Sequence, residues 1–211
     1  MFMKNSLLNP KVIITALSAI FFVTTSTTLN AFADEKGPGI IQGTVKAKKA
    51  KYLKDAIAYI ENVPQTFDPP KEHAVVDQKN MTFIPHVLPV LQGTTIDFLN
   101  SDIVQHNIYS PDAVADNMNL GTWLKGEIRS YTFNKPGVAS LLCNVHVDMT
   151  AFILIVQNPY FARVNSDGSF SITNVPEGKY NVKLWSERLK AEDRQVEVKA
   201  GGQATVAFEL K

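Results

Sequence analysis

The sequence predicts an all-β protein built from two small sandwiches, and three observations predict it. Short apolar runs alternate with a period of two, turn signals rich in Gly, Pro, Asn and Asp separate them, and no convincing long helix interrupts the series. Many short strands without helices bury their apolar faces by stacking sheet on sheet.

Taken in order, Gly39 to Val45 and Asp55 to Glu61 read as strands, separated by a stretch carrying Lys46, Lys48, Lys49, Lys51 and Lys54. Pro64, Pro69 and Pro70 mark a linker. Val75 to Phe83, Val87 to Leu91 and Thr95 to Leu99 follow as strands, with a turn at Gly93. Asn100 to Leu120 is less regular, and Gly121 to Phe133 holds two strands broken near Lys125-Gly126. Lys135-Pro136-Gly137 is a turn, Val138 to Cys143 a strand and Thr150 to Val156 another. In the last segment Asn165-Ser166-Asp167-Gly168 turns between Phe161–Val164 and Ser169–Ile172. Pro176-Glu177-Gly178 leads into Tyr180 to Trp185, and Gly201-Gly202 joins Gln195–Lys199 to Gln203–Leu210. The charged stretch Ser186 to Arg194 reads as a helical turn or a loop.

Composition narrows the function classes. The 211 residues suffice for one ordinary domain or two small ones, and a 45% hydrophobic content suits a real core. With 21 basic and 20 acidic residues the formal charge is +1, which offers no basic excess for nucleic acid. Residues 1–33 have a lysine-bearing start, an apolar run from Val12 to Val23 and an Ala31-Phe32-Ala33 end. These are the three parts of a secretory signal peptide, so export to the periplasm is expected, with no membrane span after cleavage at Ala33. An uncleaved anchor is the alternative, but the run is short of the ~20 residues a spanning helix needs.

The exported chain would carry one cysteine, Cys143, which can form no internal disulfide. Its surroundings suggest an occupant. Cys143-Asn144-Val145-His146-Val147-Asp148-Met149 offers a thiolate, an imidazole and a thioether in one short segment. A His₂Cys plane with a weak axial Met describes a blue-copper electron-transfer site. The second histidine must come from elsewhere. His106, just beyond the strand ending Phe98-Leu99-Asn100, is the best placed, while His73 and His86 fit less well. Covalent haem and structural zinc both need more cysteines than are present. A Cys-His catalytic pair stays open, although it gives Met149 no role.

Residues from about Val75 to Val156 resemble the cupredoxins, the plastocyanin and amicyanin family of blue-copper proteins. The resemblance is carried by Phe83-x-Pro85 and Leu88-x-Val90-x-x-Gly93-x-x-Ile96-x-Phe98-x-Asn100-x-Asp102. It continues through His106-Asn107, Tyr131-x-Phe133-x-x-Pro136-Gly137 and Cys143-x-x-His146-x-x-Met149, the last most like amicyanin. It implies a Greek-key cupredoxin sandwich over residues 73–158, with one type 1 copper on His106, Cys143, His146 and Met149. It also implies backbone N–H groups near the Cys143 sulfur, a tie between the ligand loops from Asn100, and electron exit at the His146 edge. His86 falls at the same end of such a fold, either as an exposed loop residue or as a group near the metal. His73 reads as surface.

The C-terminal segment resembles the carboxypeptidase regulatory-like, or transthyretin-like, β-domains. The markers are Asp167-Gly168-x-Phe170-x-Ile172-x-x-Val175-Pro176-x-Gly178-x-Tyr180-x-Val182. The opening strands of such a domain are absent just before Asp167, and Ile41-x-Gly43-x-Val45 with Ala56-Ile57-Ala58-Tyr59 supply them. One discontinuous domain, residues 39–63 with 160–211, is therefore expected around the inserted cupredoxin. Two consecutive domains with an extra N-terminal hairpin are the alternative. Tyr180 and Trp185 read as core rather than as a binding surface, and the five lysines as a solvated loop or a dock for an acidic partner.

The expected function is single-electron carriage between protein redox partners, a cytochrome or a periplasmic oxidoreductase. Copper trafficking or storage is the alternative, weakened by a chain with five methionines, two of them in the leader. No enzyme activity is expected, because multicopper catalysis needs further histidines and only four occur, none as an H-x-H pair.

Overall fold

The computed structural model describes residues 37–211, so the expected leader lies outside the described residues. The described residues are all-β. The strands are β1 (Gly39–Ala47), β2 (Ile57–Ile60), β3 (Ala74–Lys79), β4 (Thr82–Ile84), β5 (Val87–Leu91), β6 (Thr94–Asn100), β7 (His106–Tyr109) and β8 (Asn119–Trp123). They continue with β9 (Ile128–Phe133), β10 (Gly137–Leu142), β11 (Thr150–Val156), β12 (Phe161–Arg163), β13 (Ser169–Val175), β14 (Gly178–Trp185), β15 (Arg194–Val198) and β16 (Gln203–Leu210).

Four sheets result among the described residues. The middle of the chain forms β4-β3-β6-β9 and β5-β11-β10-β7-β8. Their facing residues, Val76, Ile96, Phe98 and Phe133 against Ile108, Trp123, Leu141 and Ile153, make one core. The chain ends form β13-β1-β16 and β12-β2-β14-β15. There β1 lies antiparallel to β13 and parallel to β16, with Ile41 opposite both Ile172 and Ala204. A second core fills the space between them, with Ile41, Val45, Phe170 and Phe208 facing Ile60, Val182, Leu184 and Val198. Gly43 is glycine for a packing reason, since a Cβ there would sit 2.0 Å from Cζ of Phe170.

The unbroken apolar run Ala151–Val156 follows from burial on both faces of β11. Ala151, Ile153 and Ile155 enter the central core. Leu154 and Val156 point the other way and meet Ile57, with Tyr59, Phe161 and Trp185 packed around them. The sheet of β2 and β14 thus covers the outside of the sheet of β11 and β5, and Phe152 stacks on Trp185 with ring centroids 5.4 Å apart. Tyr180 is buried with its hydroxyl donated to the carbonyl of Pro176, so neither aromatic forms an open surface.

Two elements differ from the sequence expectation, and one left open between two forms is resolved. Val75 to Phe83 is two strands, β3 and β4, turned at Asn80 and Met81, both at φ 55°. That left-handed pair matches the twist of a two-residue hairpin, although methionine is an unusual occupant. The Asp102 carboxylate compensates by accepting the N–H groups of Asn80 and Met81 at 2.8 and 2.9 Å. The irregular stretch from Asn100 contains β7, hidden because its buried positions include His106 and Asn107 rather than alternating apolar residues. Ser186 to Asp193 is a loop without a helical turn.

Candidate metal centre

β7 and the loop between β10 and β11 meet at one end of the central core. His106 opens β7, paired with Trp123 of β8. Cys143 follows β10, and the loop returns through His146 to Met149, whose N–H donates to the His146 carbonyl at 3.1 Å. The donor atoms of His106, Cys143 and His146 all lie within 4.8 Å of one another. His106 and Cys143 are buried and His146 is half-buried, so only the His146 side of the group reaches solvent. Met149, 1% exposed, packs in the same core cluster as Cys143.

The rings of His106 and His146 present Nδ1 to Nδ1 at 3.1 Å, with centroids 4.8 Å apart. Two nitrogens each ~2.0 Å from one ion would stand about 3 to 3.5 Å apart, so this spacing suits a shared metal. The other nitrogen of His106, Nε2, is 2.8 Å from Asp102 Oδ2. A carboxylate can only accept there, which places a proton on Nε2 and leaves the Nδ1 lone pair facing the group. Burial raises the Asp102 carboxyl, but the N–H of Met81, the His106 ring and the N–H of Asn80 outweigh it and hold it below the ordinary aspartate value.

The donor chemistry fits copper. Two imidazoles and one thiolate, with a thioether in the same cluster, are soft and borderline ligands. The Cys143 sulfur accepts the backbone N–H of Asn107 at 3.5 Å, one of the backbone donors expected for it.

Asn107 supplies what the sequence reading sought from Asn100. Its side-chain oxygen accepts the N–H of Asn144 at 3.3 Å, and its amide donates to Gly121 O and Asn119 Oδ1 at 2.8 and 3.0 Å. It therefore ties β7, β8 and the Cys143 loop together. Asn100 acts within its own neighbourhood, donating to the carbonyls of Val104 and Trp123 and accepting from Asp102 N–H. The signal for Asn107 was its place beside His106, and for Asp102 its position one helical-turn's spacing before the same residue, but neither spacing specifies these contacts.

Of the other histidines, His73 is an exposed partner of Asp97, Nδ1 to Oδ1 2.9 Å. His86 stands outside the three-residue group but close to its rim, with Nδ1 3.1 Å from the carbonyl of Thr150, the neighbour of Met149. Val145 and Val147, which flank the half-buried His146 in the chain, are exposed, as are Ile103 and Val104 just before His106, with Ile103 and Val147 at 86% each.

Residues 137–206 match the family model for polysaccharide lyase family 4, domain II. That match spans β10 and β11 as well as most of β12–β16, a minority of the chain. No curated protein matches. Similar solved structures include a reduced Cu(I) form of an amicyanin variant at pH 4, 22% identical, covering 46% of this chain and 97% of that one at a TM-score of 0.38. A purple cupredoxin from Nitrosopumilus maritimus is also 22% identical, covering 39% of this chain and 98% of that one at a TM-score of 0.36. Scores this low leave the reading of the site to its own donor atoms.

Proposed function

We propose that this protein is an exported type 1 copper protein that carries single electrons between protein partners and is not itself an enzyme. The observation that carries the reading is the convergence of His106 Nδ1, His146 Nδ1 and Cys143 Sγ within 4.8 Å at the end of a rigid β core. Met149 is the fourth ligand in this reading. A bound copper supplies the Cu(I)/Cu(II) couple, and the chain's own groups do the rest. Asp102 fixes the His106 tautomer, Asn107 holds the two ligand loops in register, and the Asn107 N–H eases negative charge at sulfur. Two loops locked before the metal arrives resist rearrangement when its oxidation state changes, which keeps electron transfer fast.

The exposed Val145 and Val147 beside His146, with the exposed Ile103 and Val104 before His106, are apolar residues suited to brief contact with a cytochrome or a periplasmic oxidoreductase. Residues 39–63 and 160–211 belong in this reading to one discontinuous domain, supported by the pairing of β1 and β2 with the strands that follow residue 160.

Visible absorption and electron paramagnetic resonance of the Cu(II)-loaded protein test the proposal. An intense thiolate-to-copper band with narrow hyperfine splitting, both abolished in Cys143→Ala, is the expected result. A weakly absorbing complex would overturn electron carriage in favour of copper trafficking or storage.

A further inference from the structure

A cleft of about 630 Å³ opens between the two sandwiches at the metal-bearing end. The β1–β2 loop and Ser186–Arg188 line it from the outer sandwich, and Thr82–Ile84, His86 and Asp148–Thr150 line it from the central one. Met149 forms part of its wall. Lys51, Lys54 and Arg188 face Asp55, Asp148 and Glu187 there, so the cleft has no excess of either charge. One side chain spans it. His86 Nε2 lies 2.8 Å from Glu187 Oε2 of the outer sandwich, while His86 Nδ1 lies 3.1 Å from the Thr150 carbonyl. The His86 carbonyl accepts the N–H of Phe152 at 2.9 Å, and its ring stands edge-on to Phe152, 5.6 Å between centroids. Both partners are acceptors, so making the two contacts at once takes an N–H on each ring nitrogen, while the His86 backbone is fixed by Phe152.

The Met149 side chain is buried in the central core, and its backbone is held on one side by its own loop, through its N–H to His146 O. On the other side the chain enters β11 at Thr150, the residue His86 grips. We infer that Glu187, acting through His86 and the Thr150 carbonyl, positions Met149, so that the outer sandwich sets the thioether side of the metal centre. This rests on the copper reading above and adds a task for the second domain. The physical reason is the softness of that side. A thioether would bind copper weakly, so the place where the chain holds the Met149 sulfur would tune the reduction potential. His106 is held by Asp102 and Cys143 by the Asn107 N–H, contacts that do not involve His86, so loosening the clamp acts first on the thioether. Glu187 and His86 are positioning residues, not ligands.

The experiment compares Glu187→Gln, Glu187→Ala, His86→Gln and the double variant with wild type, using Glu192→Ala, an exposed acid of the same loop, as control. The first readout is the ¹³C-methyl resonance of Met149 in the metal-free protein. The second is the intensity ratio of the two thiolate-to-copper bands, with the hyperfine splitting, after Cu(II) loading. The clamp predicts that Glu187→Ala and His86→Gln move the resonance and the ratio in the same direction. The double variant should do no more than either single change, because both break one chain of contacts. Copper affinity should fall only a few-fold, less than the roughly 10–100-fold lost when a ligand's direct partner is removed. Glu187→Gln, which keeps an acceptor, should restore most of the wild-type ratio. An unmoved Met149 resonance in folded variants overturns the clamp. A wild-type protein with no thiolate band overturns the copper reading instead, and the metal-free resonance still decides the clamp.

Discussion

The two sandwiches of this chain use the same materials to different ends. Each packs two twisted sheets over aliphatic and aromatic residues, yet they finish differently. The core of the outer sandwich closes on Tyr180, whose hydroxyl is satisfied by Pro176 O. The central core closes on Cys143 and Met149, and there the donor atoms of His106, Cys143 and His146 gather within 4.8 Å of one another. Chemistry resides where a core ends in soft and basic donors and a shell of carboxylates and amides keeps them oriented.

The sharpest way to break that comparison is to loosen the outer core alone. Phe170 fills the space above Gly43, and Phe170→Ala should cost about 3–5 kcal/mol, as for a large buried aromatic. Amide hydrogen exchange should then quicken by about two to four powers of ten in β1, β13 and β16 together, while β6 and β10 keep their protection. Were β1 to stay as protected as β6, the N-terminal strands would belong with the central sandwich and the discontinuous domain would fall.

Much of the architecture was legible because short-range pattern and burial coincide. The alternation Ala204, Phe208 and Leu210 in β16 marks a strand with one wet face, and Ala151–Val156 reads as apolar throughout because β11 is covered on both. The meeting of Cys143 and His146 was legible for a different reason, since both lie in one loop and their spacing is visible in the chain. The supporting groups were not. Asn107 and Asp102 matter through contacts made only after β7 docks against β8 and the Asn80-Met81 turn, and β7 itself carries no alternation to announce it. Glu187 lies 101 residues from His86, and no local pattern joins them. Separation in sequence, rather than weakness of the interaction, hid these roles.

Two buried asparagines sharpen the contrast. Asn158 donates to Ile60 O at 2.9 Å and helps join β11 to the outer sandwich, whereas Asn107 spans the ligand loops. Asn107→Ala and Asn158→Ala should each destabilise the protein by about 1–3 kcal/mol in urea unfolding, from the buried backbone groups left unpaired. Only Asn107→Ala should also weaken copper, by roughly 10–100-fold in a competition titration. Equal losses of copper affinity in both variants would show that the distinction between a supporting and a functional core is false.

The smallest expected difference lies in how the two sandwiches respond to pH. In the central one Asp97 is held below the ordinary aspartate value, chiefly by the Ser130 hydroxyl and further by His73, against burial. In the outer one the Lys183 ammonium, 2.5 Å away, and the Asn181 amide lower Glu61, and Glu61 in turn raises Lys183. A carboxyl lowered by folding binds fewer protons folded than unfolded, so its contribution is complete above the unfolded value and is lost as pH falls through the folded one. A raised lysine behaves oppositely, contributing fully below its unfolded value and losing that as pH rises through the folded one. The Asp97 contribution in the central sandwich should therefore be lost in acid, and the Glu61–Lys183 contribution in the outer one at both extremes. Water screens these part-exposed groups, so the Glu61–Lys183 pair is worth roughly 0.2–1 kcal/mol. Urea midpoints of Lys183→Met across the pH range, followed by exchange in β2 and β14, should show the alkaline limb flattened and the Asp97 part of the acid limb intact. An alkaline limb unchanged by the substitution would mean that Lys183 contributes nothing there, and that the two sandwiches share one pH response despite their different ion pairs.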